Sequence, residues 1–296
     1  MPDDLLALCE TLYFPLNIRI QEPTRYQYRI ALNDYGRFLD RPATSDDLND
    51  DTVTRWMSKR LQDGLAAITV KERAGRVQTL WTWLAKRRVV PDFPTFIKPR
   101  VPETMPMAFS EPELRRFFHS AGKERGTIAG VPADLWCLSF FAFIFNTSER
   151  KTAALSVEIP WMNLEAAVCM IPPSVRKGGV KAGCYPLWPA TIPLIRACIA
   201  SNPRRVHVWP WDRCEESYYT LINRILRDAG LPVDRKHKTH ALRVTHNTHH
   251  KLLTGQHSPL LGHSSAETSE RYYEDRRFTQ KDSPQLFIPW RLPDSD

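Results

Sequence analysis

The feature that most constrains this chain is the stretch PDFPTFIKPRVPETMPMA at residues 91 to 108, which holds five prolines and no periodic apolar pattern. Proline lacks an amide hydrogen and its ring clashes with the preceding helical turn, so this stretch cannot continue a helix. Regular apolar patterns lie on both sides of it, and 296 residues are enough for two domains with separate cores. We therefore predict a first domain at 1 to 95, a linker at 96 to 108 and a second domain at 109 to 296.

Three amphipathic helices are predicted in the first domain. Apolar residues recur at steps of four, three and four from Tyr28 to Leu39 within residues 25 to 39, which places them on one helical face. Residues 45 to 61 begin with helix-capping side chains and continue with similar spacing, and residues 69 to 89 repeat the pattern. The first domain is thus expected to be helical.

Basic residues are concentrated in two places. The chain carries 41 Lys plus Arg against 33 Asp plus Glu, and residues 55 to 90 alone hold nine basic and two acidic residues. Such a run is either a solvated helical face or a surface for a polyanion such as duplex DNA, whose phosphates release counterions to Lys and Arg. The candidate DNA contacts are Lys71, Arg73, Arg76, Lys86, Arg87 and Arg88, with Arg235, Lys236 and Lys238 in a basic loop of the second domain.

Cysteine usage and the N-terminus indicate a soluble protein of the cytoplasm. The six cysteines lie far apart with no Cys-x-x-Cys spacing, which favours neither a zinc ribbon nor a thioredoxin-type site and is typical of a reducing compartment. The start, MPDDLLALCE, has no basic residue ahead of an apolar core, and no window reaches the roughly 18 apolar residues that span a bilayer. We expect no targeting segment and no membrane partner.

The second domain is predicted to be helical with one small sheet. A serine precedes the helical segment EPELRRFFHSA, and LWCLSFFAFIFN at 135 to 146 is apolar enough to be a buried helix. Two short extended segments flank RKGGVK, which predicts a β-hairpin with Lys177 in its turn. Residues 216 to 229 and 240 to 253 are predicted helices. The fold class is therefore mainly α with a small antiparallel β-sheet.

Six histidines fall between residues 240 and 273, which raises the question of a metal site. His246 with His249 or His250 has the spacing that places two imidazoles on one helical face. However, no Glu completes a His-Glu-x-x-His pattern and no third ligand is evident. We predict no metal and interpret these histidines as ordinary core or surface residues.

Four motifs in order carry a more specific signal. His240-Ala-Leu-Arg243 resembles the His-x-x-Arg box of the tyrosine recombinase, or phage integrase, family, and LLGHSSAETSERYY resembles its Leu-Gly-His box, with Tyr272 nine residues after His263. Upstream, TSER resembles the Thr-Gly-x-Arg corner that holds the first arginine, here Arg150, and Lys177 lies where the family has a hairpin lysine. The order and spacing of these motifs are specific together, and the resemblance extends over nearly the whole chain, because a basic helical N-terminal domain and a proline-rich linker also match the family's architecture.

This resemblance implies both a fold and an activity. The expected fold is a helical N-terminal core-binding domain of the SAM-like type followed by a mixed α/β catalytic domain of the DNA breaking-rejoining type. The expected activity is site-specific recombination of double-stranded DNA through a 3′-phosphotyrosyl intermediate, without cofactor or metal, by dimers or tetramers assembled on DNA, in the integration or excision of a mobile element. The implied catalytic residues are Arg150, Lys177, His240, Arg243, His263 and Tyr272.

The residue types also suit this chemistry on physical grounds. A phosphodiester under attack develops negative charge on its non-bridging oxygens, and the guanidiniums of Arg150 and Arg243 offer forked donors to them. A tyrosine hydroxyl, with a pKa of about 10, needs a base, for which His240 and His263 are candidates. The leaving 5′-oxygen needs a proton, which Lys177 can donate.

Several alternatives remain open at the level of sequence. Tyr273 follows Tyr272 directly, and only the count from His263 favours Tyr272. The family's corner glycine is replaced by Ser148, and its usual acidic residue three positions after the first arginine is Ala153. Two alternatives to a site-specific recombinase remain. One is a DNA-binding protein of the same fold that has lost catalysis, and the other is a type IB topoisomerase-like enzyme. The tail residues Leu286, Phe287, Ile288 and Trp290 are expected to dock on a neighbouring protomer or on the chain itself.

Overall fold

The computed structural model describes residues 4 to 262 and 266 to 279. The chain divides into two compact units, with the boundary between Glu103 and Thr104. The predictions for His263 and for the tail residues between 280 and 296 lie outside the described residues. No helix in the described ranges combines the length and apolar character needed to cross a bilayer.

The first unit is built from helices, and its three predicted helices are confirmed. Its central polar residue is the buried Asp34, which pairs with Arg60 at 3.1 Å and Arg73 at 3.0 Å and accepts a hydrogen bond from the Trp56 indole. The helices are α1 (Leu5–Leu8), a π-helical turn (Cys9–Tyr13), α2 (Phe14–Leu16), α3 (Glu22–Leu39), a 3₁₀ turn (Ser45–Asp47), α4 (Asp50–Gln62) and α5 (Ala67–Lys86).

The second unit contains helices and two small antiparallel sheets. Its helices are α6 (Glu111–Ala121), α7 (Ala133–Thr147), α8 (Lys151–Leu155), α9 (Ile192–Ser201), α10 (Glu215–Asp228), α11 (Thr239–Thr254), α12 (Ala266–Tyr273) and α13 (Arg276–Thr279), with 3₁₀ turns at Ile159–Trp161, Pro173–Val175 and Pro259–Leu261. Its strands are β1 (Thr127–Ile128), β2 (Val131–Pro132), β3 (Met162–Asn163), β4 (Val168–Ile171) and β5 (Gly183–Pro186).

The core of this unit surrounds α7, as its continuous apolar sequence predicts. Trp136, Phe140 and Phe141 on this helix are fully buried. Because nearly every face of α7 is covered, its C-terminal end is fixed in the interior. The corner that follows α7 therefore starts from a rigid position.

The predicted fold class, mainly α with a small antiparallel sheet, is confirmed. Strand β4 pairs antiparallel with β5, with Cys169 opposite Tyr185, and the turn between them carries Lys177, as predicted for the hairpin. Strand β3 adds a third strand to this sheet, and the pair β1–β2 forms a second sheet that the sequence did not predict. The serine before α6 forms the expected capping box, in which Ser110 and Glu113 exchange hydrogen bonds.

Candidate active site

A cleft of about 410 Å³ opens on the second unit and is lined mainly by basic and aromatic residues. It brings together three of the predicted catalytic residues, Arg150, His240 and Arg243, and two of the predicted basic contacts. The lining residues are Glu149, Arg150, Lys151, Tyr219, Arg235, Lys238, Thr239, His240 and Arg243. Because most of its charged side chains are cationic, the cleft is suited to an anion.

Four lining residues, Glu149, Lys151, Tyr219 and Thr239, were not predicted as site residues from sequence. The Lys151 ammonium lies 4.7 Å from the Tyr219 ring centroid, and the Lys238 ammonium lies 4.8 Å from it. Lys151 also pairs with Glu215 at 2.5 Å. The one sequence signal that could have indicated Lys151 as a cleft residue is its position directly after Arg150. The role of Tyr219 depends on the packing of α10 beside the corner, which no local pattern reveals.

The first arginine is positioned by the end of α7. Ser148 ends this helix with φ 55° and ψ 25°, and its amide donates to the Ile144 carbonyl at 2.9 Å. This left-handed conformation turns the chain, so that half-buried Arg150 becomes the N-cap of α8. Glycine adopts such a conformation without strain, whereas a serine there is strained. Ser148 thus keeps the corner's shape at a cost in stability.

The second arginine is a buried cation with unused donors. Arg243 lies in the first turns of α11 and is 2% exposed. Its Nε and Nη2 atoms have no hydrogen-bond partner within the part of the chain that the structure describes. Burial lowers the pKa of Arg243, while Tyr273 and Glu149 act in the opposite direction, and a guanidinium stays protonated in either case. A buried, incompletely paired cation of this kind is stabilised by an incoming anion.

The adjacent tyrosines have different environments. Tyr273 is 8% exposed, and its ring centroid lies 5.0 Å from that of His240 and 5.1 Å from the Arg243 guanidinium carbon. Tyr272 is 54% exposed, with the Arg271 guanidinium 5.5 Å from its ring. In this structure Tyr273 is therefore beside the arginine, and Tyr272, which the spacing from His263 favours, faces outward.

The end of the tyrosine helix is anchored to α11 of the same chain. Asn247 donates to the Tyr273 carbonyl at 2.8 Å, and Lys251 pairs with the buried Glu274 at 2.7 Å. The amide of the buried Asp275 donates to the Thr248 hydroxyl at 3.0 Å. These contacts involve one face of α11, so the tyrosine pair is held close to Arg243 by its own chain.

The predicted lysine is not on the wall of the cleft. Lys177 is exposed in the turn between β4 and β5. Its neighbour Arg176 is instead bound to the buried Glu149 at 2.9 Å, beside Arg150. The loop that carries Lys177 is thus attached to the corner even though the lysine itself faces solvent.

The remaining predicted basic contacts fall into two groups. Most are exposed on the surface, namely Lys71, Lys86, Arg87 and Arg88 in the first unit and Arg235 and Lys236 in the second. Arg73 and Arg76 are half-buried: Arg73 pairs with Asp34 at 3.0 Å, and the Arg76 guanidinium lies 5.6 Å from the Tyr28 ring. Arg73 is therefore already engaged inside the first unit.

The histidine with metal-like spacing is a core residue. Both ring nitrogens of His246 are bonded, with Nδ1 donating to the Phe145 carbonyl at 2.7 Å and Nε2 accepting from the Ser258 hydroxyl at 2.8 Å. Its ring stacks on Trp188 at 5.9 Å. Burial lowers the pKa of His246 to about 4, so the imidazole is neutral at physiological pH.

No family model matches this sequence, and no curated protein is similar to it in sequence. Solved structures are similar in fold. A Tn1549 transposon integrase in complex with circular intermediate DNA gives a TM-score of 0.70 at 11% identity, covering 92% of this chain and 95% of that one. A lambda integrase dimer bound to a core site gives 0.67 at 12% identity, covering 93% and 96%. The XerH site-specific recombinase in a post-cleavage complex gives 0.66 at 18%, covering 86% and 78%.

Proposed function

We propose that this chain, whose fold is that of the tyrosine recombinases and integrases, as its motifs predicted, breaks and rejoins double-stranded DNA at a specific site through a 3′-phosphotyrosyl intermediate. The observation that carries the proposal is Arg243, a guanidinium that is only 2% exposed at a basic cleft and has two nitrogens without a hydrogen-bond partner among the described residues. A phosphodiester supplies the acceptors that these donors lack.

The proposed roles follow from the charges that develop during attack on phosphorus. Arg150 and Arg243 bind the two non-bridging oxygens and stabilise their growing charge. A histidine, His240 or His263, accepts the proton of the attacking tyrosine hydroxyl. The bond from phosphorus to the 5′-oxygen breaks, and Lys177 transfers a proton to that oxygen. The free 5′-hydroxyl of a second strand then reverses the step.

Two tyrosines are candidates for the nucleophile, each on a different observation. The spacing of nine residues from His263 supports Tyr272, whereas proximity to Arg243 and His240 supports Tyr273. Successive residues on a helix point about 100° apart, so only one of them can face the phosphate at a time. We propose Tyr272 as the nucleophile, with α12 rotating when DNA enters the cleft.

We also propose where the reaction operates. Two of the structural neighbours are integrases, one of a transposon and one called lambda integrase, and these support a role in the integration or excision of mobile DNA. The phosphotyrosyl bond conserves the energy of the phosphodiester, so the reaction needs no nucleotide cofactor. Self-association into dimers or tetramers on DNA would bring two strands together, and the dimer of lambda integrase supports it.

Covalent trapping tests this proposal. Bound sequences are selected from a random pool of duplexes, and nicked versions of the selected site are incubated with the protein in EDTA, so that the released fragment diffuses away. We expect a detergent-resistant adduct that Tyr272→Phe abolishes and Tyr273→Phe retains. The reverse pattern would assign the nucleophile to Tyr273. Saturable binding without any adduct would overturn the catalytic proposal.

That last outcome would favour the second candidate, a DNA-binding protein of the same fold without catalysis. The specific observations behind it are the strained Ser148 and the buried Ala153 at the corner that orients Arg150. A type IB topoisomerase-like activity is separated by another measurement. Such an enzyme relaxes supercoiled plasmid that lacks the selected site, whereas a site-specific recombinase does not.

A further inference from the structure

Glu149 is a buried carboxylate at the centre of the corner that precedes α8. It is 1% exposed, and its Oε1 accepts a hydrogen bond from the Arg150 amide at 2.8 Å. Its Oε2 binds Arg176 at 2.9 Å and accepts a hydrogen bond from the Tyr185 hydroxyl. Burial acts to raise the pKa of Glu149, but these bonds together with Arg176 hold it below its usual value. The carboxylate is therefore charged, and both of its oxygens are hydrogen-bonded.

Arg176 connects this carboxylate to both sides of the hairpin loop. Besides Glu149, its Nη2 donates to the Tyr185 hydroxyl at 2.7 Å, and its Nη1 donates to the Lys181 carbonyl at 2.9 Å. Three donors of one guanidinium are thus used across the base of the loop. A planar, forked group of this kind fixes direction as well as distance, which a lysine at the same place would not.

A glycine on strand β5 leaves room for Tyr185, on the same strand, to reach the carboxylate of Glu149. A Cβ atom at Gly183 would lie 2.4 Å from Cε2 of the Tyr185 ring, closer than any side chain can approach. The ring therefore passes over the position that only glycine leaves empty. Glu149, Arg176 and Tyr185 form one network, which we call the corner network.

We propose that Glu149 and Arg176 are positioning residues for Lys177, holding its loop against the Arg150 corner so that the lysine reaches the leaving 5′-oxygen. This inference rests on the proposed function. Lys177 directly follows Arg176, so the bonds of Arg176 fix the backbone one residue away from the lysine. The side chain of Lys177 itself stays in solvent until DNA is bound.

The step that depends on this positioning is a proton transfer. The tyrosine oxygen forms a bond to phosphorus, the bond from phosphorus to the 5′-oxygen breaks, and the ammonium of Lys177 gives its proton to that oxygen. If sulfur replaces the 5′-oxygen, the leaving thiolate has a conjugate-acid pKa of about 8.5, far below that of an alcohol, and needs no proton donor. A sulfur substrate therefore removes the need for Lys177 and for whatever positions it.

The experiment compares adduct formation on nicked oligonucleotides that carry oxygen or sulfur at the bridging 5′ position of the cleaved phosphate. The full-length variants are Arg176→Met, Glu149→Gln and, as the reference for lost proton donation, Lys177→Met. With oxygen we expect each to react on the order of 100-fold more slowly than the unaltered protein, as loss of a general acid predicts. With sulfur each is expected to react within a few-fold of it.

Controls separate the possible failures. Arg196→Met removes an exposed ion pair with Glu165 elsewhere in the same unit and should match the unaltered protein on both substrates. Equal losses on oxygen and sulfur would overturn the inference and assign the corner network to the arginine clamp. No adduct from the unaltered protein on either substrate would instead overturn the proposed function. If Arg176→Met or Glu149→Gln fails to fold, Tyr185→Phe, which removes one hydroxyl, must show the same rescue.

Discussion

At the scale of single residues, Ser148 holds a conformation that suits glycine. Its φ of 55° is left-handed, and its buried hydroxyl has no hydrogen-bond partner within the described residues. Ser148→Gly removes the backbone strain and the unpaired hydroxyl. The one opposing effect is the greater conformational entropy of glycine in the unfolded chain. We therefore expect this change to raise the free energy of unfolding by about 1 kcal/mol. Urea denaturation measures this. Ser148→Ala keeps the strained backbone and should gain less. A less stable glycine variant would show that Ser148 contributes a contact of its own.

Arg243 shows the opposite relation between stability and function. Its guanidinium is desolvated, and two of its nitrogens have no hydrogen-bond partner within the described residues, so the free protein bears a cost that a bound phosphate would offset. We expect Arg243→Met to stabilise the free protein by about 1–3 kcal/mol and to abolish covalent adducts with DNA. Thermal melting measures the change in stability, and the trapping assay measures the loss of covalent adducts. Arg235→Met, an exposed change at the same cleft, should leave stability unaltered. A destabilised Arg243→Met protein would mean that this arginine is mainly structural.

At the scale of secondary-structure elements, His246 ties α11 to the end of α7 and to Ser258. Its folded-state pKa of about 4 lies below the 6.5 of an unfolded histidine. Between pH 6.5 and 4, His246 therefore binds a proton in the unfolded chain but stays neutral in the folded chain. Stability from His246 is complete above pH 6.5 and is lost as pH falls towards 4, by roughly 3 kcal/mol in total. Urea unfolding at pH 7.5 and 4.5 tests this, and His246→Gln should remove that part of the dependence. An unchanged pH dependence in the variant would contradict the assignment.

The elements themselves were largely predictable, whereas their contacts were not. Apolar spacing located α3, α4 and α5, the continuous apolar run located α7, and the two extended segments around RKGGVK located the hairpin, because these signals are local. The corner network was not predicted, since Glu149 and Arg176 are 27 residues apart and meet only after folding. The same reason explains the tyrosines: spacing selects Tyr272, but the packing of α12 on α11 decides which ring is beside Arg243.

At the scale of the whole molecule, the basic charge of the chain is divided between surface and interior. Lys86 and Arg88 are exposed, whereas Arg73, from the same basic run, pairs with the buried Asp34. A sequence pattern counts these residues alike, because charge alone does not say which side chain is already paired. Their substitution should therefore have effects of different kinds, on DNA binding for the first two and on folding for the third.

We expect the double change Lys86→Gln and Arg88→Gln to weaken DNA binding and to reduce the slope of log affinity against log salt by about 2, one for each lost phosphate contact, with stability unchanged. Arg73→Gln leaves Asp34 with Arg60 as its other cationic partner and should lower the free energy of unfolding by about 2 kcal/mol with little change in the slope. Fluorescence titration of DNA binding between about 50 and 300 mM salt measures the slope, and urea denaturation measures stability. Together the two measurements separate the two effects. If the double variant kept the full slope, the basic segment at the C-terminal end of α5 would be a solvated surface, and the contacts with DNA would come from the cleft of the second unit.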